Sequence, residues 1–115
     1  MRRLWGALLS SIDGLSWAAR HEVAFMQELA LLVIAVPAAF AVASAGWTRI
    51  ALIGSILLVL MIELINTSLE KLCDHVAPEH SEAIKVVKDL GSAAVFVALA
   101  LAGIVWLFAV AALAR

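Results

Sequence analysis

Polar side chains recur three or four residues apart in the run Glu63-Leu-Ile-Asn66-Thr67-Ser-Leu-Glu70, which is followed by Asp74. On a helix that spacing places 63, 66, 67, 70 and 74 on one face. Glu63 and Glu70 stand about two turns apart, roughly 10 Å along the axis. A deep carboxylate and a shallower one can therefore do different jobs on one substrate. Oxygen donors suit a hard cation such as Mg²⁺, which usually binds through one or two carboxylates plus substrate phosphates. A carboxylate kept from bulk water can act as a base towards a hydroxyl. A lysine, here Lys88 beside Asp89, neutralises phosphate as a point charge. These are the components of phosphoryl transfer to a lipid alcohol. The same acids could instead form ion pairs that hold a helical bundle together, and spacing alone does not separate the two. The chain has no G-x-x-x-x-G-K-[ST] run and no kinase Gly-rich loop, so a nucleotide site would be of neither kind.

The elements that must position these residues follow from composition. The 115 residues are enough for a single domain, 1–115, and 65% of them are hydrophobic against 15% charged. The mean hydropathy is +1.08, whereas soluble domains are roughly 45–50% apolar and about a quarter charged. A globule of this size cannot hide so much apolar surface, so lipid must solvate it. That excludes a soluble enzyme and a disordered tail. The formal net charge of −1 gives no attraction to nucleic acid. The expected fold is an all-α membrane protein. Three stretches, 29–47, 50–72 and 90–113, are long and apolar enough to be transmembrane helices. Pro37 within the first is tolerated in lipid when neighbours satisfy the freed carbonyl. Gly46, Trp47, Thr48 and Arg49 are expected to form a tight hairpin, and 74–89 a polar loop. In segment 1–28, Leu4, Leu8, Ile12 and Leu15 recur at helical spacing. That predicts an amphipathic helix on the membrane surface, with Trp5 and Trp17 at headgroup depth. Ser10, Ser11 and Asp13 interrupt the apolar run too early for a signal peptide.

Arg2, Arg3, Arg20, Lys71, Lys85 and Lys88 fall on one side of this arrangement, and Arg49 and Arg115 on the other. The bias predicts a multi-pass protein of the cytoplasmic (inner) membrane, with its N-terminus and long loop in the cytoplasm. All nine acidic residues then lie in the cytoplasmic half, where charges near membrane depth are costly and point to function. Gly54, Ser55, Ser92, Ala93 and Ala94 are expected to permit close helix approach. His21, His75 and His80 lack the compact spacing of a zinc site.

Glu22-Val-Ala-Phe-Met-Gln-Glu28, the Glu63–Glu70 run with Asp74, and Lys88-Asp-Leu-Gly-Ser-Ala-Ala-Val95 resemble the prokaryotic diacylglycerol kinase family over roughly residues 3 to 106. The resemblance implies a homotrimeric bundle of three-span subunits with active sites shared between chains, using ATP and Mg²⁺ on diacylglycerol. It implies Glu63 as catalytic base, and Glu22 and Glu70 as ligands of the divalent metal. Asn66, Lys88 and Asp89 would complete the nucleotide and transition-state contacts, with Arg3, Glu79, His80 and Ser81 also near ATP. Glu28, Arg49, Ser92 and Trp106 would line the lipid site. Met26, Ser10 and Lys85 depart from the residues common at their positions in the family. Within the family the alternative substrate is undecaprenol. From another class, a small proton-coupled transporter would need four spans and a lone carboxylate in mid-membrane.

Overall fold

The computed structural model describes residues 1–79 and 81–114. His80, expected near the nucleotide, and Arg115, one of the charges that set the orientation, lie outside the described residues. Four α-helices follow one another: α1 (Arg2–His21), α2 (Val23–Val42), α3 (Gly46–Val76) and α4 (Glu82–Leu113). The last three are long and apolar enough to cross a membrane. With 31 and 32 residues, α3 and α4 are each about 47 Å long, against a hydrocarbon core of about 30 Å. Both must project beyond it.

Three boundaries differ from expectation. The helix expected over 1–28 ends at His21, because Glu22 adopts an extended backbone (φ −112°, ψ 112°). Hydrogen bonding passes through this single bent residue: its N–H donates to Ala18 O at 2.9 Å, and its carbonyl accepts from Met26 N–H at 3.1 Å. No glycine or proline marks the bend. It lets Ala18 before it and Phe25 after it join one buried cluster with Leu60 of α3. The expected hairpin at 46–49 falls instead at 43–45, and Gly46–Arg49 make the first turn of α3. The expected loop 74–89 is mostly helix, since α3 runs to Val76 and α4 starts at Glu82. Its charged residues pair along and between these extensions, Lys85 with Asp89 and Lys88 with Asp74. Charge there marks solvent contact rather than loss of helix.

Helix α3 is the central element and packs along both α2 and α4. Ala35, Ile56, Val59, Ala98 and Ala102 form the core between the three, and the alanines let the helices approach closely. The Trp106 indole N–H of α4 donates to Leu52 O of α3 at 3.1 Å. At the hairpin, Arg49 Nε–H donates to Ala43 O at 2.8 Å, closing the end of α2, and its guanidinium lies 4.5 Å from the centre of the Phe40 ring. The α1 residues Leu4, Leu8, Ile12 and Leu15 are exposed, and so are Phe96, Leu107 and Phe108 of α4. These apolar faces are open to lipid or to other chains.

Candidate active site

Among the described residues, the charged side chains taken into the bundle are Glu28 of α2 and Glu63 of α3, 9% and 7% exposed. Burying a carboxylate without a partner is expensive. Here the expense falls at one place. Glu63 lies within electrostatic reach of Glu70 and Glu22, and Glu28 within reach of Glu63. The bend at Glu22 ends α1 there and starts α2 one residue later, while the helical repeat of α3 brings Glu63 and Glu70 to one face. Glu28 and Asn66 each keep a buried side-chain oxygen, Oε1 and Oδ1, without a hydrogen-bond partner. Acceptors left open in this way suit a ligand that brings donors or a cation.

Asn66 is fixed from two sides. Its Nδ2 donates to Glu70 Oε1 at 3.3 Å, and α4 comes against it at Gly91, which is buried. A Cβ at Gly91 would collide with Asn66 Oδ1 and stand 3.3 Å from Asn66 Cγ. The close approach expected at Gly54 is therefore found at Gly91, because a Cβ on Gly54 would meet nothing within 4 Å. Of the other small residues named for this purpose, Ser55 is buried and donates to Leu52 O at 2.8 Å, whereas Ser92, Ala93 and Ala94 are exposed.

Nearer the α3–α4 turn, a concavity of about 330 Å³ gathers Glu79, Ser81, Lys88 and Asp89 with Asp74 and Lys85. Lys88 and Asp89 are not paired with each other. Lys88 Nζ bonds Asp74 Oδ1 across the two helices at 2.6 Å, and Asp89 Oδ2 takes Lys85 Nζ at 2.7 Å. Sequence reasoning assigned no role to Asp74, Lys85 or Gly91 in the site. The Glu63-to-Asp74 periodicity was a usable signal for Asp74; nothing local pointed to the other two.

Within one chain the remaining site residues stand apart. Arg3 is exposed in the first turn of α1, roughly 28 Å of helix from Glu22. Arg49 is about 21 Å from Glu63 along α3, again by helical rise, and Trp106 is joined to Leu52 of that same half. Ser92 follows Gly91 on α4 but faces outward.

No group of three or more His, Cys, Asp or Glu side chains among the described residues is placed to hold a metal ion unaided. Glu22 and Glu70, both within electrostatic reach of Glu63, are the hard donors on hand. Two carboxylates beside open acceptors fit a Mg²⁺ ion that arrives with nucleotide phosphates.

A sequence profile of the family described as prokaryotic diacylglycerol kinase matches residues 9–110. A diacylglycerol kinase from Haemophilus influenzae is 40% identical over 96 residues, 84% of this chain and 81% of its own. One from Pseudomonas aeruginosa is 37% identical over 106 residues, 92% of this chain and 86% of its own. One from Escherichia coli K12 is 38% identical over 96 residues, covering 84% and 79%. The profile spans the whole carboxylate cluster, the Lys88-Asp89 pair and Trp106, and the chain belongs to the prokaryotic diacylglycerol kinase family.

Proposed function

We propose that the protein is an ATP-dependent diacylglycerol kinase that makes phosphatidic acid at the cytoplasmic face of the inner membrane. The observation that carries this reading is the family match over residues 9–110, which contains buried Glu63 and its neighbouring acids. Glu63 accepts the proton of the lipid hydroxyl as that oxygen bonds to the γ-phosphorus of ATP. The bond from the γ-phosphorus to the bridging oxygen breaks, and ADP leaves with that oxygen. Glu22 and Glu70 would hold Mg²⁺, which would supply charge neutralisation at the phosphates. Asn66 orients Glu70 through its Nδ2 hydrogen bond. Lys88 and Asp89, with Glu79, His80 and Ser81, receive the nucleotide, and Arg3 approaches it from α1. Glu28 and Ser92 are the residues left for the glycerol, whereas Trp106 and Arg49, expected at the lipid site, are engaged by the fold through Leu52 O, Ala43 O and the Phe40 ring.

The exposed apolar faces of α1 and α4 and the distance of Arg3 from Glu22 support a homotrimer with sites shared between chains. Mixing Glu63→Gln with Glu22→Ala subunits then restores part of the activity lost in each alone. Absence of complementation in confirmed mixed trimers would place each site within one chain. The activity itself is tested by transfer of labelled γ-phosphate to diacylglycerol or to undecaprenol in detergent. Labelled phosphatidic acid is the expected product. Transfer to undecaprenol alone would move the protein to the family's other activity, and transfer to neither would reject the kinase reading.

A further inference from the structure

Lys71 of α3 reaches back to the bend between α1 and α2. Its Nζ lies 3.6 Å from Glu22 Oε1, with the two side chains 59% and 25% exposed. The same ammonium stands 5.3 Å from the centre of the Trp17 ring. Trp17 is itself set in place, stacked on His21 at 4.6 Å between centroids. The ammonium thus has two stations, a carboxylate and an aromatic face, and cations are attracted to both.

The hold on Glu22 is loose. The site's other lysines grip their carboxylates at 2.6 and 2.7 Å, within ordinary hydrogen-bonding distance, and 3.6 Å lies outside it. A lysine whose task was to pin α1 onto α3 gains most from a close bond. A loosely held one that has a second station at Trp17 is easy to displace. Glu22 is one of the acids within electrostatic reach of Glu63, and Lys71 is the cation that stands beside it.

We propose that Lys71 is a built-in counter-cation for Glu22 that the divalent metal must displace, so that Lys71 sets the metal concentration at which the site fills. The inference rests on Glu22 being a metal ligand. When the metal takes Glu22, the Lys71 ammonium stays over Trp17. Removing the lysine charge then tightens metal binding, whereas loss of a purely structural clasp would loosen it. The sign of the effect separates the two.

The test is Mn²⁺ binding to the full chain in detergent with a non-hydrolysable ATP analogue present, read from the electron paramagnetic resonance signal against the same analogue without protein. Lys71→Met is expected to tighten binding about 3-fold, within the range for an exposed pair. Lys71→Glu, which reverses the charge, should tighten it further, roughly 10-fold on the same scale. Lys71→Arg should stay close to wild type. On a Glu22→Gln background, Lys71→Met should lose its effect, because the two changes act on one interaction. The half-activating Mg²⁺ concentration for turnover should fall in parallel with the Mn²⁺ dissociation constant. Unchanged or weaker Mn²⁺ binding in Lys71→Met, with Glu22→Gln clearly weakened, would overturn the competition and leave the metal assignment standing. Unchanged binding in Glu22→Gln would overturn both.

Discussion

Arg49 and Glu63 are charged side chains on one helix, both drawn out of bulk solvent, and their surroundings differ in kind. Arg49 finds its partners within a few residues: the Ala43 carbonyl at the end of α2 and the face of Phe40. It closes the hairpin. Glu63 is more deeply buried, and its charged neighbours Glu70, Glu22 and Glu28 carry its own sign. Two buried oxygens beside it have no partner. A charge that serves the fold is satisfied by the fold. A charge kept for a substrate is left open, and the packing of α2 and α3 bears that burden. The exposed Lys88–Asp74 and Lys85–Asp89 pairs stand between these extremes, since solvent and phosphate can both compete for them.

If that contrast is sound, the largest effect comes from Glu63→Gln, which keeps size and hydrogen bonding and removes the base. The expected loss in kcat is about 100-fold or more, with assembly and MgATP binding nearly unchanged. Glu70→Gln should differ in kind, weakening metal-nucleotide binding so that extra Mg²⁺ partly restores the rate. Near-wild-type turnover of Glu63→Gln at saturating lipid and MgATP would show that the open carboxylate is not the base.

A second prediction concerns what holds the open site in shape. In Gly91→Ala the new methyl group lands on Asn66 Oδ1, so Asn66 must turn or α4 must move outward. Either change loosens the Asn66–Glu70 hydrogen bond. Overpacking of this kind costs about 1–3 kcal/mol, and activity at sub-saturating Mg²⁺ is expected to fall roughly 10-fold. Gly54→Ala, with open space around its Cβ, is the control and should leave turnover as it is. Adding Asn66→Ser to Gly91→Ala frees the volume without restoring the amide. Helix packing measured by thermal midpoint should recover in the double variant while activity does not. Recovery of both would make Asn66 a spacer only.

These cases also show what can be read from residues alone. The three spans and the shared face of Glu63, Asn66 and Glu70 were legible because hydropathy and helical periodicity are local properties. The bend at Glu22 was not legible, because it answers to Ala18, Phe25 and Leu60 meeting in three dimensions. Charge was a poor guide to the ends of α3 and α4, where it marks helix that leaves the apolar stretch. Gly91 was hidden among small residues that looked alike, and only the approach of α4 to Asn66 distinguishes it from Gly54. Lys85 looked like a departure from the family pattern and turns out to be the partner of Asp89.

A smaller effect is expected at the seam between α3 and α4. Trp106→Phe keeps the ring in the core and removes the N–H that bonds Leu52 O. That carbonyl also accepts from Ser55, so it is not left bare. The expected destabilisation is about 0.5–1 kcal/mol, seen as a modest fall in thermal midpoint, with little change in kcat. A large fall in kcat without a change in midpoint would mean that the indole serves the lipid rather than the seam.

The smallest effect on turnover should come from Arg49→Ala, at the satisfied end of the contrast. The substitution removes the bond to Ala43 O and the contact with Phe40, which closes α2 at its last carbonyls. A charge-assisted bond and a cation–π contact at a partly buried site together contribute about 1–2 kcal/mol. The thermal midpoint in detergent should therefore drop by several degrees. The hairpin is about 21 Å from Glu63 along α3, so kcat and the KM for MgATP should stay within about 2-fold of wild type. Arg49→Lys should recover little of the midpoint, because an ammonium lacks the planar group that bonds Ala43 and lies over Phe40 at once. An unchanged midpoint with a raised KM for lipid would reverse the assignment. Arg49 would then be a charge held for the substrate after all, and the hairpin would not depend on it.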